Sequence, residues 1–300
     1  MTLCTTSMLL CPLTHCSSAP SLALNLVRSS RGSSLKGFLD AGLPRRTLLT
    51  SVLFHSFMMC SSSPVSARSK ISEAEQILKN VEWPEQFPFK KEDFQRFDES
   101  PDTIFYSSPR FVTHIDDYAI QALTKYYASI FPPSNTPGVA LLDMCSSWIS
   151  HYPKGYRQER IAGLGLNDEE LKRNQVLTEY AVQDLNKNPL LPYEDNSFDV
   201  ITNAVSVDYL TKPLEVFREM RRVLKPGGIA VMSFSNRCFW TKAISIWTGT
   251  GDVDHVYIVG SYFHYAGGYE PPQALDISPN PGRSDPMYVV FSRKRKAESS

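Results

Sequence analysis

Five short apolar runs between Val139 and Ser235 restrict what this chain can fold into more than any other feature. They are Val139-Ala-Leu-Leu-Asp-Met, Arg160-Ile-Ala-Gly-Leu-Gly-Leu, Tyr180-Ala-Val-Gln-Asp-Leu, Phe198-Asp-Val-Ile-Thr-Asn-Ala-Val and Gly228-Ile-Ala-Val-Met-Ser-Phe-Ser. Each is rich in Val, Ile and Leu without clean polar alternation, the pattern of a strand buried on both faces of a parallel sheet. Between the fourth and fifth runs, the segment from Lys212 to Gly228 puts Leu214, Phe217, Met220 and Leu224 on one helical face. Pro213 suits a first helical turn, and Pro226-Gly227-Gly228 stops the helix and starts the next strand. The runs His255 to Phe263 and Pro286 to Lys294 read as closing strands. The expected fold is α/β and doubly wound, a mostly parallel seven-stranded sheet with an antiparallel closing strand.

The first 67 residues read as an address. Up to Ala67 there are five cations (Arg28, Arg31, Lys36, Arg45, Arg46), one acid (Asp40) and many Ser and Thr. Such a segment resembles a plastid transit peptide. Arg45-Arg46 ahead of an apolar run to Cys60, with Val65-Ser-Ala67 as a small-residue cleavage site, resembles a second, twin-arginine signal. The expected location is therefore the chloroplast: the thylakoid lumen, or the stroma if the arginine pair is accidental. The apolar run is shorter than the roughly 20 residues a membrane-spanning helix needs, so no permanent span is expected, and peripheral thylakoid association stays open. Beyond residue 67 remain 26 cations against 30 acids. That balance argues against a general nucleic-acid binder.

Residues 68 to 112 read as an arm, with a short helix near 71–79 and then Pro-interrupted aromatics. Residues 113 to 292 form the expected domain, and 293 to 300 a basic tail. Thr113 followed by Asp116 suggests a capping box opening a helix that ends before Pro132-Pro133. A further short helix is expected near 242–247. Cys145 and Cys238 follow non-adjacent strands and are expected as free thiols, and no paired zinc spacing is present.

The run Gln183-Asp-Leu-Asn-Lys-Asn-Pro-Leu-Leu-Pro-Tyr-Glu-Asp-Asn-Ser-Phe-Asp-Val-Ile is similar to a stretch of class I S-adenosylmethionine-dependent methyltransferases of the type 11 group. Leu224-Lys-Pro-Gly-Gly ahead of the Ile229 strand resembles the same group. The resemblance covers roughly residues 110 to 292. It implies a Rossmann-like fold and S-adenosylmethionine as cofactor. Asp184 would accept from the adenine amino group, with Leu185 as an apolar edge. In an open parallel sheet the ligand lies outside the carboxyl ends of the strands, where Asp143, Asp184 and the segment from Asn203 to Tyr209 would converge.

Two features depart from that pattern. The family's first loop follows an acid with three closely spaced glycines, whereas here Asp143-Met-Cys-Ser146-Ser147-Trp148-Ile149 has none. Ser146 and Ser147 offer hydroxyl and backbone donors, and Trp148 is either a lid over the cofactor or a plug in its place. Where the family carries a ribose-binding acid after the second strand, this chain has Gly165. Asn167 or Asp168 either replaces that acid or caps the next helix, the cap being favoured for Asp168. An unreplaced ribose contact would cost about 1.5 to 3 kcal/mol. Candidate substrate contacts are Tyr106, His114, Tyr209 and Asn236, with Arg110 and Asp208 beside them. His255 and His264 read as structural. Two functions follow: a methyltransferase acting on a small-molecule or lipid-like acceptor, or a non-catalytic methyltransferase-like binding or assembly protein at the thylakoid.

Overall fold

The computed structural model describes residues 72–296. The address expected over residues 1–67 and the end of the basic tail lie outside the described residues. Seven strands form one sheet in the order β3-β2-β1-β4-β5-β7-β6. In chain order they are β1 Ala140–Met144, β2 Arg160–Gly165, β3 Glu179–Val182, β4 Phe198–Ala204, β5 Leu224–Phe234, β6 Gln273–Asp276 and β7 Tyr288–Arg293. β1 to β5 pair in parallel, and only β7 runs against its neighbours β5 and β6. The seven-stranded, mostly parallel α/β reading of the sequence holds. The strand order reverses between β1 and β4, so a crevice forms outside their carboxyl ends.

Among the described residues seven α-helices surround the sheet: α1 Glu73–Lys79, α2 Asp102–Phe105, α3 Asp117–Ile130, α4 Asp168–Arg173, α5 Pro213–Val223, α6 Ser245–Thr248 and α7 Asp252–Ala266. One core lies on the side of α5 and α7, including Phe198, Phe217, Met232 and Phe263. The other lies under α3, including Leu123, Tyr127, Leu141, Ile161 and Val231. α5 begins at Pro213, whose missing N–H falls where the helix has no acceptor. Its buried face is Val216, Phe217, Met220 and Val223 rather than the row through Leu214 and Leu224, because Leu224 already opens β5.

The largest correction concerns residues 255–263, which lie within α7 instead of forming a closing strand. Their β-branched and aromatic content suggested a strand. The helix is apolar almost all round because it is covered on two sides, by the sheet and by the arm. Trp83 stacks on Tyr257 at 5.1 Å and on His264 at 4.9 Å between ring centres. His255 is buried, stacks on Trp247 at 3.8 Å, and its Nε2 lies 2.9 Å from the Trp247 carbonyl. Both histidines are structural, as read. The closing hairpin uses β6 instead.

Two caps also differ from expectation. α3 is capped by Asp116, not Thr113: its Oδ1 accepts the Ala119 N–H at 2.9 Å. Asp116 and Asp285 further exchange backbone-to-carboxylate hydrogen bonds at 2.9 and 2.7 Å, which holds the chain at residue 116. α4 is capped by Asn167, whose Oδ1 accepts the Glu170 N–H at 3.0 Å, so Asp168 is its first residue and not its cap. Among the described residues no helix is long and apolar enough to cross a membrane.

Candidate functional site

At the reversal of strand order lies a cavity of about 350 Å³. β1 delivers Asp143 to its floor, 97% buried, where the carboxylate accepts from Ser146 Oγ at 2.6 Å, Ser150 Oγ at 2.7 Å and Thr202 Oγ1 at 3.1 Å. Burial pushes the Asp143 carboxyl up to about 6, against the pull of those three hydroxyls. The chain then turns at Cys145, which takes φ 57°, so a cysteine occupies the left-handed conformation that a glycine would adopt without strain. Asn174, just past α4, donates from Nδ2 to the Ser147 carbonyl at 2.9 Å and to Ser150 Oγ at 2.8 Å. Ser147 Oγ donates to Glu170 at 2.7 Å. Side-chain bonds from three elements thus hold the glycine-free loop.

That loop explains Gly165. A Cβ at this position would stand 2.2 Å from the Ser146 carbonyl oxygen, and the Ser146 N–H is bonded to the Leu164 carbonyl at 2.7 Å. The rebuilt loop lies directly on the end of β2, leaving no room there for the side chain of an acid.

A carboxylate is supplied from the next element. Glu170, in the first turn of α4, is 98% buried and lines the cavity beside Gly165 and Leu166. It accepts the Arg110 N–H at 2.6 Å on one oxygen and Ser147 Oγ at 2.7 Å on the other, so each oxygen keeps a lone pair. Glu170 was not singled out from sequence. It stands in the acidic first turn of a short charged helix, which gives no sign of burial.

Of the residues expected to bind cofactor, Asp143, Ser146, Ser147, Asp184 and Leu185 line the cavity. Asp184 Oδ1 accepts the Asn186 and Lys187 N–H groups at 3.0 and 3.3 Å, while Oδ2 has only the Lys187 ammonium at 3.8 Å. It therefore caps a turn and still offers an acceptor. Trp148, Asn167 and Asn203 stand outside the wall. Trp148 is neither lid nor plug: its Nε1 donates to the Val112 carbonyl at 2.9 Å and its ring meets Phe111 edge-on, pinning the arm to the loop. Asn167 is used up by its cap and by donating to the Tyr106 carbonyl at 2.9 Å. Asn203 is fully buried and donates to the Met144 carbonyl at 3.2 Å, joining β4 to β1.

Among the expected substrate contacts, Tyr106, His114 and Tyr209 line the cavity, and Asn236 is exposed and points away. β5 ends at Phe234, and in the loop beyond it the residues that follow Asn236, namely Arg237, Cys238 and Phe239, form the wall instead. Phe239 lies 5.0 Å from Phe105, 5.3 Å from His114 and 6.2 Å from Tyr209 between ring centres, an aromatic roof built from the arm and the post-β5 loop. Tyr209 Oη accepts the Phe239 N–H at 2.7 Å. Arg110 stacks on Phe105 at 3.9 Å behind this roof. Asp208 is 98% buried outside the wall, and burial pushes its carboxyl up to about 8. Cys145 and Cys238 both line the cavity as free thiols, pushed up by burial to about 12 and 11.

Four residues around the cavity hold left-handed backbone: His114 at φ 67°, Cys145 at 57°, His151 at 56° and Val205 at 44°. For the β-branched Val205 this is a true outlier. Such residues cost of order 1–3 kcal/mol each and persist where surrounding structure enforces them.

Residues 147–232 match the family model described as a methyltransferase domain. The chain is similar to the malonyl-[acyl-carrier protein] O-methyltransferase of Marinomonas sp., 31% identical over 67 residues, 22% of this chain and 25% of that protein. It is also similar to the ubiquinone/menaquinone biosynthesis C-methyltransferase UbiE of Hahella chejuensis, 32% identical over 114 residues, 38% of this chain and 39% of that protein. The alignments thus span about a quarter to two-fifths of these relatives' lengths. Among solved structures, geranyl diphosphate C-methyltransferase from Streptomyces coelicolor, in complex with S-adenosyl-L-homocysteine, matches at 14% identity and a TM-score of 0.39. That match covers 58% of this chain and 76% of that one. Residues 147–232 are thus similar to a methyltransferase domain, and the strand order places them in a doubly wound α/β sheet.

Proposed function

We propose that this chain is an S-adenosylmethionine-dependent methyltransferase acting on a small-molecule or lipid-like acceptor. One observation carries the reading: the cavity at the strand reversal joins the carboxylate past β3 to a second carboxylate beside the end of β2. Its volume is near the lower end of the roughly 300–1,000 Å³ of small-molecule sites. Asp184 would take the adenine amino group on Oδ2, Leu185 the ring face, and Glu170 the ribose hydroxyls in place of an acid at 165. When bound, the cofactor supplies an electrophilic methyl group on a sulfonium. The protein's part in such a displacement is to hold the partners in line and keep water out. The aromatic roof of Phe105, Tyr106, Tyr209 and Phe239 does both for an apolar acceptor.

Calorimetric titration of residues 68–300 with S-adenosylmethionine and S-adenosylhomocysteine tests this. Micromolar binding is expected, weakened at least about tenfold in Asp184→Ala through loss of a charge-assisted hydrogen bond, with the melting point little changed. A folded sample that ignores both ligands at millimolar concentration would instead favour the non-catalytic binding reading. The closed contact between Gly165 and the Ser146 carbonyl is the observation on that side.

The lipid-like acceptor draws support from two exposed aromatic side chains near the roof. Phe97 and Trp240, 77% and 57% exposed, pack at a tilt with ring centres 5.0 Å apart, and Trp240 directly follows Phe239. We place the protein in the chloroplast, on the lumenal face of the thylakoid, with the stroma as the alternative. The twin-arginine segment supports the lumen. Fractionating intact plastids and mapping the amino terminus of the recovered protein tests both points. A start at Arg68 in washed thylakoids is expected, whereas a stromal protein beginning before Arg45 rules the assignment out.

A further inference from the structure

His151 sits in the cavity wall with nothing bonded to its ring. It is 93% buried, and its Nδ1 is enclosed without a hydrogen-bond partner. Its main-chain carbonyl is fixed by Thr124 Oγ1 at 2.9 Å, and its backbone is held left-handed at φ 56°. Since the ring lines the cavity and its enclosed nitrogen is Nδ1, the edge that meets the open space carries Nε2. An enclosed nitrogen without a partner is better tolerated as a lone pair than as an N–H, which places the ring proton on Nε2. Burial, helped by nearby His114, pushes the imidazole down to about 4, so the ring is neutral at physiological pH and acts as a donor rather than a cation. Burial also raises Tyr106, whose hydroxyl stays protonated and lines the same cavity.

We propose that His151 donates from Nε2, alongside the Tyr106 hydroxyl, to an anionic oxygen of a ligand in this cavity. The oxygen is either the carboxylate of an amino-acid-bearing nucleoside or an oxyanion on the acceptor. Neutral donors fixed by the fold favour a charged oxygen without the desolvation that a buried cation would need. The inference rests on the cavity being the cofactor and acceptor site, and it assigns His151 a recognition role in that site.

The test uses the full chain with three probes: S-adenosylhomocysteine, 5′-methylthioadenosine (the nucleoside without the amino-acid carboxylate) and benzoate. His151→Phe removes the donor and His151→Gln restores one. If the oxygen is the cofactor's, His151→Phe weakens S-adenosylhomocysteine tenfold or more and spares methylthioadenosine. If it is the acceptor's, both nucleosides are unaffected and benzoate weakens by that factor. In either case His151→Gln recovers most of the affinity. Unchanged affinity for all three probes overturns the proposal, and so does a folded wild-type chain that binds neither S-adenosylhomocysteine nor benzoate. Should the nucleosides alone fail to bind, the cofactor reading falls and the benzoate arm still decides His151. A nitrogen-15 spectrum of the wild-type ring gives a readout independent of any variant's folding. Proton on Nε2, shifting when the bound probe is added, is expected; proton on Nδ1 overturns the proposal.

Discussion

Gly165→Asp, the change that would seem to restore a ribose-binding acid, is expected to break the site. A Cβ here stands 2.2 Å from the Ser146 carbonyl oxygen and 3.1 Å from Leu171 Cδ2, so the loop must move. It cannot do so cheaply, because Ser146 is bonded to Leu164 through its N–H and to Asp143 through its hydroxyl. Overpacking against fixed backbone costs roughly 3 kcal/mol or more, and in a domain of this size that lowers the melting point by about 6–12 °C. Gly163→Ala is the control. Its Cβ would meet Leu177 Cδ1 at 2.4 Å, the free end of a side chain that can turn aside. Thermal melts should therefore separate the two variants clearly, with Gly163→Ala losing about 1 kcal/mol. A Gly165→Asp protein that melts like wild type and binds S-adenosylmethionine more tightly would show that the loop is looser than described.

The second large effect is at Asp143. Asp143→Ala should destabilise by about 3 kcal/mol, because Ser146, Ser150 and Thr202 lose their common acceptor in a buried network. Asp143→Asn keeps an acceptor and is milder, and its distinctive effect is on pH dependence. The folded-state carboxyl is raised from 3.8 to about 6, so between those values the folded protein holds a proton that the unfolded chain has lost. Stability from this group is full below about pH 4 and is lost as the pH rises through about 6, a change of about 3 kcal/mol. Asn cannot titrate and has no such slope. Urea denaturation at several pH values should show the wild-type advantage over Asp143→Asn shrinking by that amount from pH 4 to pH 7. A constant difference would mean that Asp143 titrates normally.

Much of this architecture was readable from residue order. Strands buried on both faces are written as apolar runs, so β1, β2, β4 and β5 could be located, whereas β3 proves to be an exposed edge strand; Asp143, Ser146, Asp184 and Tyr209, at or past strand ends, line the cavity. What failed was whatever depends on a second layer. α7 looked like a strand because the arm covers the side that a solvent-facing helix would have marked with polar residues. Glu170 sits in the charged run Asp168-Glu-Glu-Leu-Lys-Arg, which reads as a solvated helix. Its burial comes from Arg110 on the arm, 60 residues earlier. Asn167 and Asn203 were chosen as polar groups near strand ends and prove to be bonded to backbone, Asn167 through both ends of its amide and Asn203 through Nδ2. His151 carries no local signal, since its position depends on the left-handed turn that ends the glycine-free loop.

The place of β7 has a consequence for how the molecule is made. It is the last of the described strands, yet it lies inside the sheet, paired to β5 through Ile229–Phe234 and to β6 through Gln273–Asp276. A chain emerging amino terminus first therefore has an unpaired β5 edge until residue 293 is free, and β6 has no sheet to join. Closing the sheet waits for a long-range pairing, the slow and aggregation-exposed kind of step. A nascent chain stalled before Tyr288 thus presents an open strand edge that a chaperone or protease can recognise.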